Sequence, residues 1–374
     1  MRPESRMAGP SIEQVRERLA SVIHPAFDKP MLELGLMESL AVEGNRVSLA
    51  VTLHAVSEPL KQAIRTRIDH ALAGIGADEI AIEWRVQIPM RPTSADDPVP
   101  DVKNVVLVMS GKGGVGKSTV AVNLALALKR AGTRVGLLDA DIYGPSIPTM
   151  LGLSGHPHSE DGKTIEPMQR FGLKLMSIGF MIESDKEAII WRGPMLQSAL
   201  MQFLTDVHWG ELDYLVLDLP PGTGDVALSL AQRIKSTGAV IVTTPQEIAL
   251  QDVYKAVSMC KKLNIPILGV VENMSFFIDS AGVRHELFGA GGGQKIADYA
   301  QAPLLGQIPL HPNVREHGDD GTPIVQAAPE HPAAKALADV ADALAERIAL
   351  EIFLRGGGQK APDAKGQRRL KITR

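Results

Sequence analysis

Apolar positions change period several times in the first ninety residues. Ile12, Val15, Leu19 and Ile23 recur at helical spacing between Ser11 and Ile23. Residues 46–54 alternate as a strand with one buried face, Pro59 to Leu72 returns to helical spacing, and Ile80 to Ile88 reads as a second strand. The pattern stops at residues 89–101, PMRPTSADDPVPD, where four prolines cannot donate to a ladder. That stretch is predicted to be an extended linker. From Asn104 the runs Val105–Met109, Val135–Leu138, Tyr214–Leu217, Val240–Val242 and Ile267–Val271 are apolar throughout and alternate with helical stretches. Continuous apolar runs mean strands buried on both faces, hence a mostly parallel sheet flanked by helices. A last helix is predicted from Ala333 to Leu354, with Leu337, Val340, Leu344 and Ile348 as its stripe. The expected map is α/β: a disordered start over 1–10, a small α/β domain over 11–88, a Pro-rich linker over 89–103, a large α/β domain over 104–354, and a basic disordered tail over 355–374.

The first strand of the large domain runs into GKGGVGKST, residues 111–119, and then into the helical VAVNLALALKR. This is G-x-x-x-x-G-K-[ST] in its required strand–loop–helix setting, the pattern of a nucleotide-phosphate cradle. Gly111, Lys112, Gly113, Gly114, Val115, Gly116, Lys117, Ser118 and Thr119 are the expected ATP-binding segment. Glycines let backbone N–H groups turn inward, and the helix N-terminus adds a favourable dipole. Lys117 is expected to bridge the β- and γ-phosphates, Ser118 to ligate Mg²⁺, and Thr119 to lie near the α-phosphate. A Mg²⁺–nucleotide site also needs carboxylates at strand ends. LLDADIYGPS supplies Asp139 and Asp141, and YLVLDLPPGTGD supplies Asp218. Asp218 is expected to hold Mg²⁺ through water, with Asp139 supporting the same shell. Gly222 and Gly224 fit a loop that senses the γ-phosphate. At the base end, Asn273 can offer adenine a donor and an acceptor, and Pro309 and Pro312 can wall the ring.

Composition narrows the class. The chain has 374 residues, 45% hydrophobic, with a net charge of -4. That balance argues against a global nucleic-acid footprint and predicts no specific nucleic-acid partner. No apolar run approaches the roughly 18 residues of a membrane span, and MRPESRMAGP has no apolar signal core. The expectation is a cytoplasmic protein with no membrane partner. The basic tail (Lys360, Lys365, Arg368, Arg369, Lys371, Arg374) reads as solvated, with a salt-sensitive nucleic-acid contact as the alternative. A single cysteine excludes an internal disulfide and any site needing two thiols from one chain. Val253, Ala256, Val257 and Cys260 fall on one helical stripe, so Cys260 reads as a buried small hydrophobe. His285, Glu286, His156 and His158 are loop residues that could bind a harder metal or simply face solvent.

The lysine directly after the first glycine of the loop, Lys112, resembles the deviant Walker A signature of the MinD/ParA/Mrp ATPases. That resemblance implies a homodimer sandwiching two nucleotides, with Lys112 reaching the partner's phosphates. Arginine fingers in that role are worth on the order of 10³–10⁵ in rate. It also implies that Asp141 orients the attacking water, so Lys117, Lys112, Asp141 and Asp218 form the expected catalytic set. The phrases SGKGGVGKST, LLDADIYGPSIPTMLGL, WRGPMLQSAL, YLVLDLPPGTGD, VTTPQEIALQDV, VENMSFF, FGAGGG and LGQIPLHPNVREHGDDGTPIV resemble the Mrp/ApbC family over nearly the whole chain. The family implies a slow ATP hydrolase that carries iron–sulfur clusters to apoproteins, preceded by an iron–sulfur assembly-type domain. The sequence departs from it after VENMSFF. Where the family carries C-x-x-C, Asp279, Ser280 and Ala281 stand, and Ser57 lies near the place of a cysteine in the small domain. Iron–sulfur ligands are therefore not identifiable. Two other readings remain open: a metal-free regulatory ATPase of the ParA/MinD kind, and a nucleotide-dependent dimerisation module for a protein partner.

Overall fold

Alternating burial in one part of the chain and continuous burial in the other produce two different sheets. The computed structural model describes residues 9–142, 144–181, 193–356 and 371–373. It divides into two units, Met1–Pro89 with Phe353–Arg374, and Met90–Ile352.

In the first unit, α1 (Ile12–Leu19) starts with a capping box in which Ser11 and Gln14 satisfy each other's backbone N–H groups. Strands β1 (Met37–Glu43) and β2 (Arg46–Leu53) pair antiparallel about Gly44, whose φ of +59° suits glycine. Helix α2 (Glu58–Ala71) crosses over to β3 (Glu79–Val86), parallel to β2. Leu60, Ile64 and Ile68 bury one face of α2, and the Ser57 hydroxyl caps it by accepting from the Leu60 N–H. Strand β1 escapes the sequence reading because Met37 and Leu40, its buried residues, lie three apart and mimic a helix.

The tail expectation needs correcting at its end. Lys371–Thr373 form a strand parallel to β1, with Leu40 opposite Ile372. An edge strand offers unpaired backbone groups, and Ile372 and Thr373 are β-branched. Lys360, Lys365, Arg368, Arg369 and Arg374 lie outside the described residues.

The second unit begins with the supposed linker, which is tied down. Arg91 and Asp97 form a buried ion pair, Arg91 Nη2 also donates to the Val99 carbonyl at 2.9 Å, and the Arg91 N–H donates to the Lys103 carbonyl. The prolines exclude ladder pairing, but a buried guanidinium supplies the donors they lack. Strand β4 (Val102–Ser110) therefore starts inside the predicted linker.

The other strands of this unit are β5 (Val135–Asp139), β6 (Met168–Arg170), β7 (Leu173–Ser177), β8 (Leu212–Asp218), β9 (Gly238–Thr243), β10 (Ile267–Glu272), the short hairpin β11 (Phe277–Ile278) and β12 (Arg284–His285), and β13 (Leu304–Gln307). The main sheet has the order β13-β10-β9-β4-β8-β5-β7-β6, parallel except for β6 against β7. Strands β5, β8, β9 and β10 are buried at every residue, as their apolar runs require. Helices α3 (Lys117–Arg130), α4 (Ile147–Met150), α5 (Gly193–Thr205), α6 (Asp225–Arg233), α7 (Glu247–Lys262), α8 (Gly292–Ala300), α9 (Pro312–Asp319), α10 (Ile324–Ala327) and α11 (Pro332–Leu354) complete the chain. The register aligns the carboxyl ends of β5 and β8, with Asp139 opposite Asp218, and sets Val108 of β4 beside Asp218. That edge is where such sheets bind ligands.

His24, after α1, is almost wholly buried; its Nδ1 accepts from the Ala26 and Phe27 N–H groups, and its ring stacks on Phe27 at 4.2 Å. Burial first, then His54 and Arg67, push its pKa down to about 4. The folded state thus keeps His24 neutral, while the unfolded chain takes up a proton below its ordinary pKa of about 6.5. This group's contribution is intact above pH 6.5 and is lost as pH falls toward 4. Urea unfolding is expected to show about 2 kcal/mol lost on this account between pH 7 and pH 5. His24→Asn, which keeps an acceptor, should lose that dependence.

Candidate functional site

Strand β4 ends at Ser110, the loop runs from Gly111 to Gly116, and α3 begins at Lys117. Gly114 and Gly116 both have φ of +81°, a conformation only glycine adopts cheaply. A Cβ on Gly116 would sit 2.2 Å from Asn273 Nδ2. The loop is braced on both sides. Ser110 Oγ donates to the Lys112 carbonyl at 2.9 Å, and the Gly222 N–H from the segment after β8 donates to the Ser110 carbonyl at 2.9 Å. Gly224 caps α6.

The three predicted carboxylates converge on the loop lysine. Lys117 Nζ donates to Asp218 Oδ1 at 2.7 Å and lies 3.2 Å from Asp141 Oδ2. Asp139 is the last residue of β5, not beyond it. Its Oδ1 accepts the Asp141 N–H at 3.1 Å and its Oδ2 accepts from Ser177 Oγ at 2.9 Å. Asp139 and Asp218 are fully buried, and Asp141 and Lys117 nearly so. Burial, then the charge of Asp218, push the Asp139 carboxyl up to about 8. Burial also raises Asp218, while Lys117 pulls it back down. Lys112 is half-buried in the loop, and Tyr143, two residues after Asp141, lies outside the described residues.

This donor set fits a magnesium–nucleotide. Carboxylate and hydroxyl oxygens are the hard ligands Mg²⁺ takes, usually one or two carboxylates with substrate phosphates, so no dedicated cage is required. Asp218 Oδ2 is buried and has no hydrogen-bond partner among the described residues, so an acceptor remains for a bound cation or its water. At Gly113 and Gly114 nothing lies within 4 Å of where a Cβ would stand, which leaves the loop open to a polyphosphate.

Beside the loop lies a cavity of about 330 Å³, lined by Thr119, Asn123, Asn273, Met274, Pro309 and Leu310 among others. Its size and mixed walls suit a nucleoside. Pro309 lines it, and Pro312 opens α9. Asn273 lines this cavity and has a further task that was not expected. Its Nδ2 donates to the Val115 carbonyl at 2.9 Å, so the amide N–H group holds the phosphate loop. The sequence reading also missed Ser177 and Asn123. Asn123 Nδ2 bonds the Thr119 carbonyl, and its Oδ1 takes the Val325 N–H. A serine ending the strand LKLMS and an asparagine inside an apolar helix carry no motif; only the fold brings them to the site.

Cys260 is fully buried on the stripe with Val253, Ala256 and Val257, its Sγ 3.7 Å from Met109 Sδ, and burial pushes its thiol up to about 12. The segment where the resemblance placed thiols, around Asp279, Ser280 and Ala281, forms the β11–β12 hairpin. Asp279 accepts from the Ala281 and Val283 N–H groups and pairs with His285 Nε2 at 2.7 Å. The His285 hydrogen bond and those N–H groups hold the Asp279 carboxyl below its ordinary range. His156 Nδ1 bonds the Phe180 carbonyl. Among the described residues no group of three or more His, Cys, Asp or Glu is placed to hold a metal ion, and no helix is long and apolar enough to cross a membrane. Trp191 and Arg192 of the WRGPMLQSAL phrase lie outside the described residues.

Comparison with known proteins finds similar families and relatives. Residues 101–345 match a family described as NUBPL iron-transfer P-loop NTPase, and residues 12–84 match one described as iron–sulfur cluster assembly protein. A Synechocystis protein named iron–sulfur cluster carrier protein is 44% identical over 340 residues, covering 89% of this chain and 96% of its own. The mouse iron–sulfur cluster transfer protein NUBPL is 46% identical over 279 residues, covering 73% of this chain and 87% of its own. The solved nucleotide-binding protein from Archaeoglobus fulgidus, in complex with ADP, is 41% identical with a TM-score of 0.52, covering 59% of this chain and 87% of that one.

The raised Asp139 carboxyl sets a pH dependence. The folded state retains a proton that the unfolded chain releases above the ordinary carboxylate range, so this group's contribution falls as pH rises from about 4 to about 8. Asp139→Asn mimics the neutral form. In denaturant unfolding of the nucleotide-free protein, the stability of wild type relative to Asp139→Asn is expected to fall between pH 5 and pH 8. A difference that stays constant would show that Asp139 is ionised throughout.

Proposed function

The chain belongs to the NUBPL-type iron-transfer P-loop NTPase family, and from that premise we propose that it is a slow, Mg²⁺-dependent ATP hydrolase that carries iron–sulfur clusters to apoproteins as a homodimer. The observation that carries the ATPase half is Lys117 held between Asp218 and Asp141 at a glycine-shaped phosphate loop. The relatives named as cluster carriers supply the cargo half.

In this reading Lys117 contacts the β- and γ-phosphates, and Ser118, Asp218 and Asp139 would hold a magnesium ion. Magnesium, when bound, neutralises charge between those phosphates. Asp141 orients the attacking water, its N–H fixed on Asp139. Asn273 and Ser110 keep the loop in shape before nucleotide arrives, so little reorganisation accompanies binding. Lys112 acts across the dimer. The cluster is cargo, and Cys260 is no ligand for it, since a thiol buried in the core is neither ionised nor reachable.

One observation favours a second reading, a nucleotide switch that acts on a protein partner without metal. The hairpin at the expected thiol position is closed by Asp279 and His285 instead.

ATP turnover should fall at least about a hundredfold in Lys117→Ala, the loss typical of removing one charge-stabilising donor; unchanged turnover would overturn the site. Mixing Lys117→Ala with Lys112→Ala should restore part of the activity, because a mixed dimer contains one intact composite site. No recovery on mixing would rule out action in trans. Anaerobic reconstitution with iron and sulfide, followed by iron counting, separates the two readings. Bound iron that survives Cys260→Ser supports the carrier, and absence of bound iron refutes carriage while leaving the ATPase standing.

A further inference from the structure

Glu272 ends β10 and is fully buried, yet its carboxylate is met by neutral donors. Oε1 accepts from Ser275 Oγ at 2.5 Å and Gln307 Nε2 at 2.7 Å; Oε2 accepts from the Gly293 N–H at 2.5 Å. Gly293 lies in the first turn of α8, whose N-cap, Gly291, has no side chain to offer. Glu272 therefore caps α8 from another element, with its charge at the positive end of the helix. The approach is close, since a Cβ on Gly293 would lie 2.7 Å from Glu272 Cβ.

The next residue faces the other way. Asn273 is the side chain that holds the Val115 carbonyl of the phosphate loop. The same stretch also anchors the hairpin. The Ser275 N–H donates to the Ile308 carbonyl, the Ile308 N–H to the Glu272 carbonyl, and the Leu310 N–H to the Phe276 carbonyl. Phe276 leads into β11 and lies under the Arg284 guanidinium at 4.0 Å. The hairpin leads on, through Leu287, to the α8 N-terminus that Glu272 caps.

We propose that Glu272 is a positioning residue that couples the exposed β11–β12 hairpin and α8 to the phosphate loop, so that nucleotide in the loop and the closed form of the hairpin bias one another. A shift of α8 or of the Ser275 turn strips a donor from a buried carboxylate, which is expensive. Residues 272 and 273 share one backbone, so that strain reaches Val115 through Asn273. The inference rests on the nucleotide reading of the loop.

A double-mutant cycle tests it, with ADP affinity of the full chain as the readout. His285→Ala opens the hairpin clasp away from the loop. It is expected to change the ADP dissociation constant about two- to thirtyfold, the usual range for coupled residues. In the Glu272→Gln background the same change should shrink below about twofold. Binding reciprocity predicts the matching result by hydrogen exchange: ADP alters protection of residues 276–291 in wild type and not in Glu272→Gln. If Glu272→Gln does not fold, Ser275→Ala, which removes one donor to the carboxylate, serves as the background. Additive effects, or a His285→Ala change that leaves ADP affinity untouched, overturn the coupling alone. Absence of ADP binding in wild type sinks the nucleotide reading and the coupling together.

Discussion

Everything in the larger unit is arranged around one ammonium among three buried carboxyls. Lys117 touches Asp218 and Asp141, and Asp139 stands directly behind Asp141. Burying such charges costs several kcal/mol per ion, and pairing offsets only part of it. A protein selected for stability alone would place apolar residues at the ends of β5 and β8, as it does just before them at Leu137–Leu138 and Leu215–Leu217. The sheet register delivers Asp139 opposite Asp218, and the Ser177 hydroxyl partly compensates the inner carboxyl. A divalent cation would offset the excess of acid over base, and the proton that Asp139 retains offsets part of it already. The site is thus strained in charge, not in backbone, before ligand arrives.

How much of this was legible in the sequence follows from how local each signal is. The phosphate loop is contiguous, and its glycines are demanded by positive φ, so strand, loop and helix read directly from residues 104–130. Asp218 was legible because an apolar run ended on an acid. Ser177, Asn123 and Glu272 were not, since each acts across the sheet on a residue distant in sequence, and nothing nearby in sequence marks it. Asn273 was half legible. Its place beside the cavity was foreseen, while its bond to the Val115 carbonyl depends on β10 ending level with the loop. The Lys371–Thr373 strand failed for a related reason, since edge pairing depends on the neighbour offered and not on a run of apolar residues, whereas β1 failed because its buried residues lie three apart.

The proline-rich stretch teaches the same lesson from the opposite direction. Its composition excludes ladder pairing, and that inference holds. What composition could not show is that Arg91 folds back on Asp97 and Val99, replacing missing backbone donors with side-chain ones. The negative statement was sound, but freedom of the segment did not follow from it.

The single cysteine brings these threads together. Its burial against Met109 removes it from any exchange with a cluster, and no second thiol exists in the chain. Yet the segment where the resemblance placed thiols is not left loose. Asp279 takes two backbone N–H groups and the His285 ring, and Arg284 covers Phe276. A loop whose only task had been ligation, once its thiols were replaced, would have no physical reason to keep such a clasp. A surface that still has to present a defined shape would. The clasp sits at the end of the hydrogen-bond series that starts at the phosphate loop, which makes the hairpin's defined shape part of the coupling proposed for Glu272, whether or not a cluster passes over it.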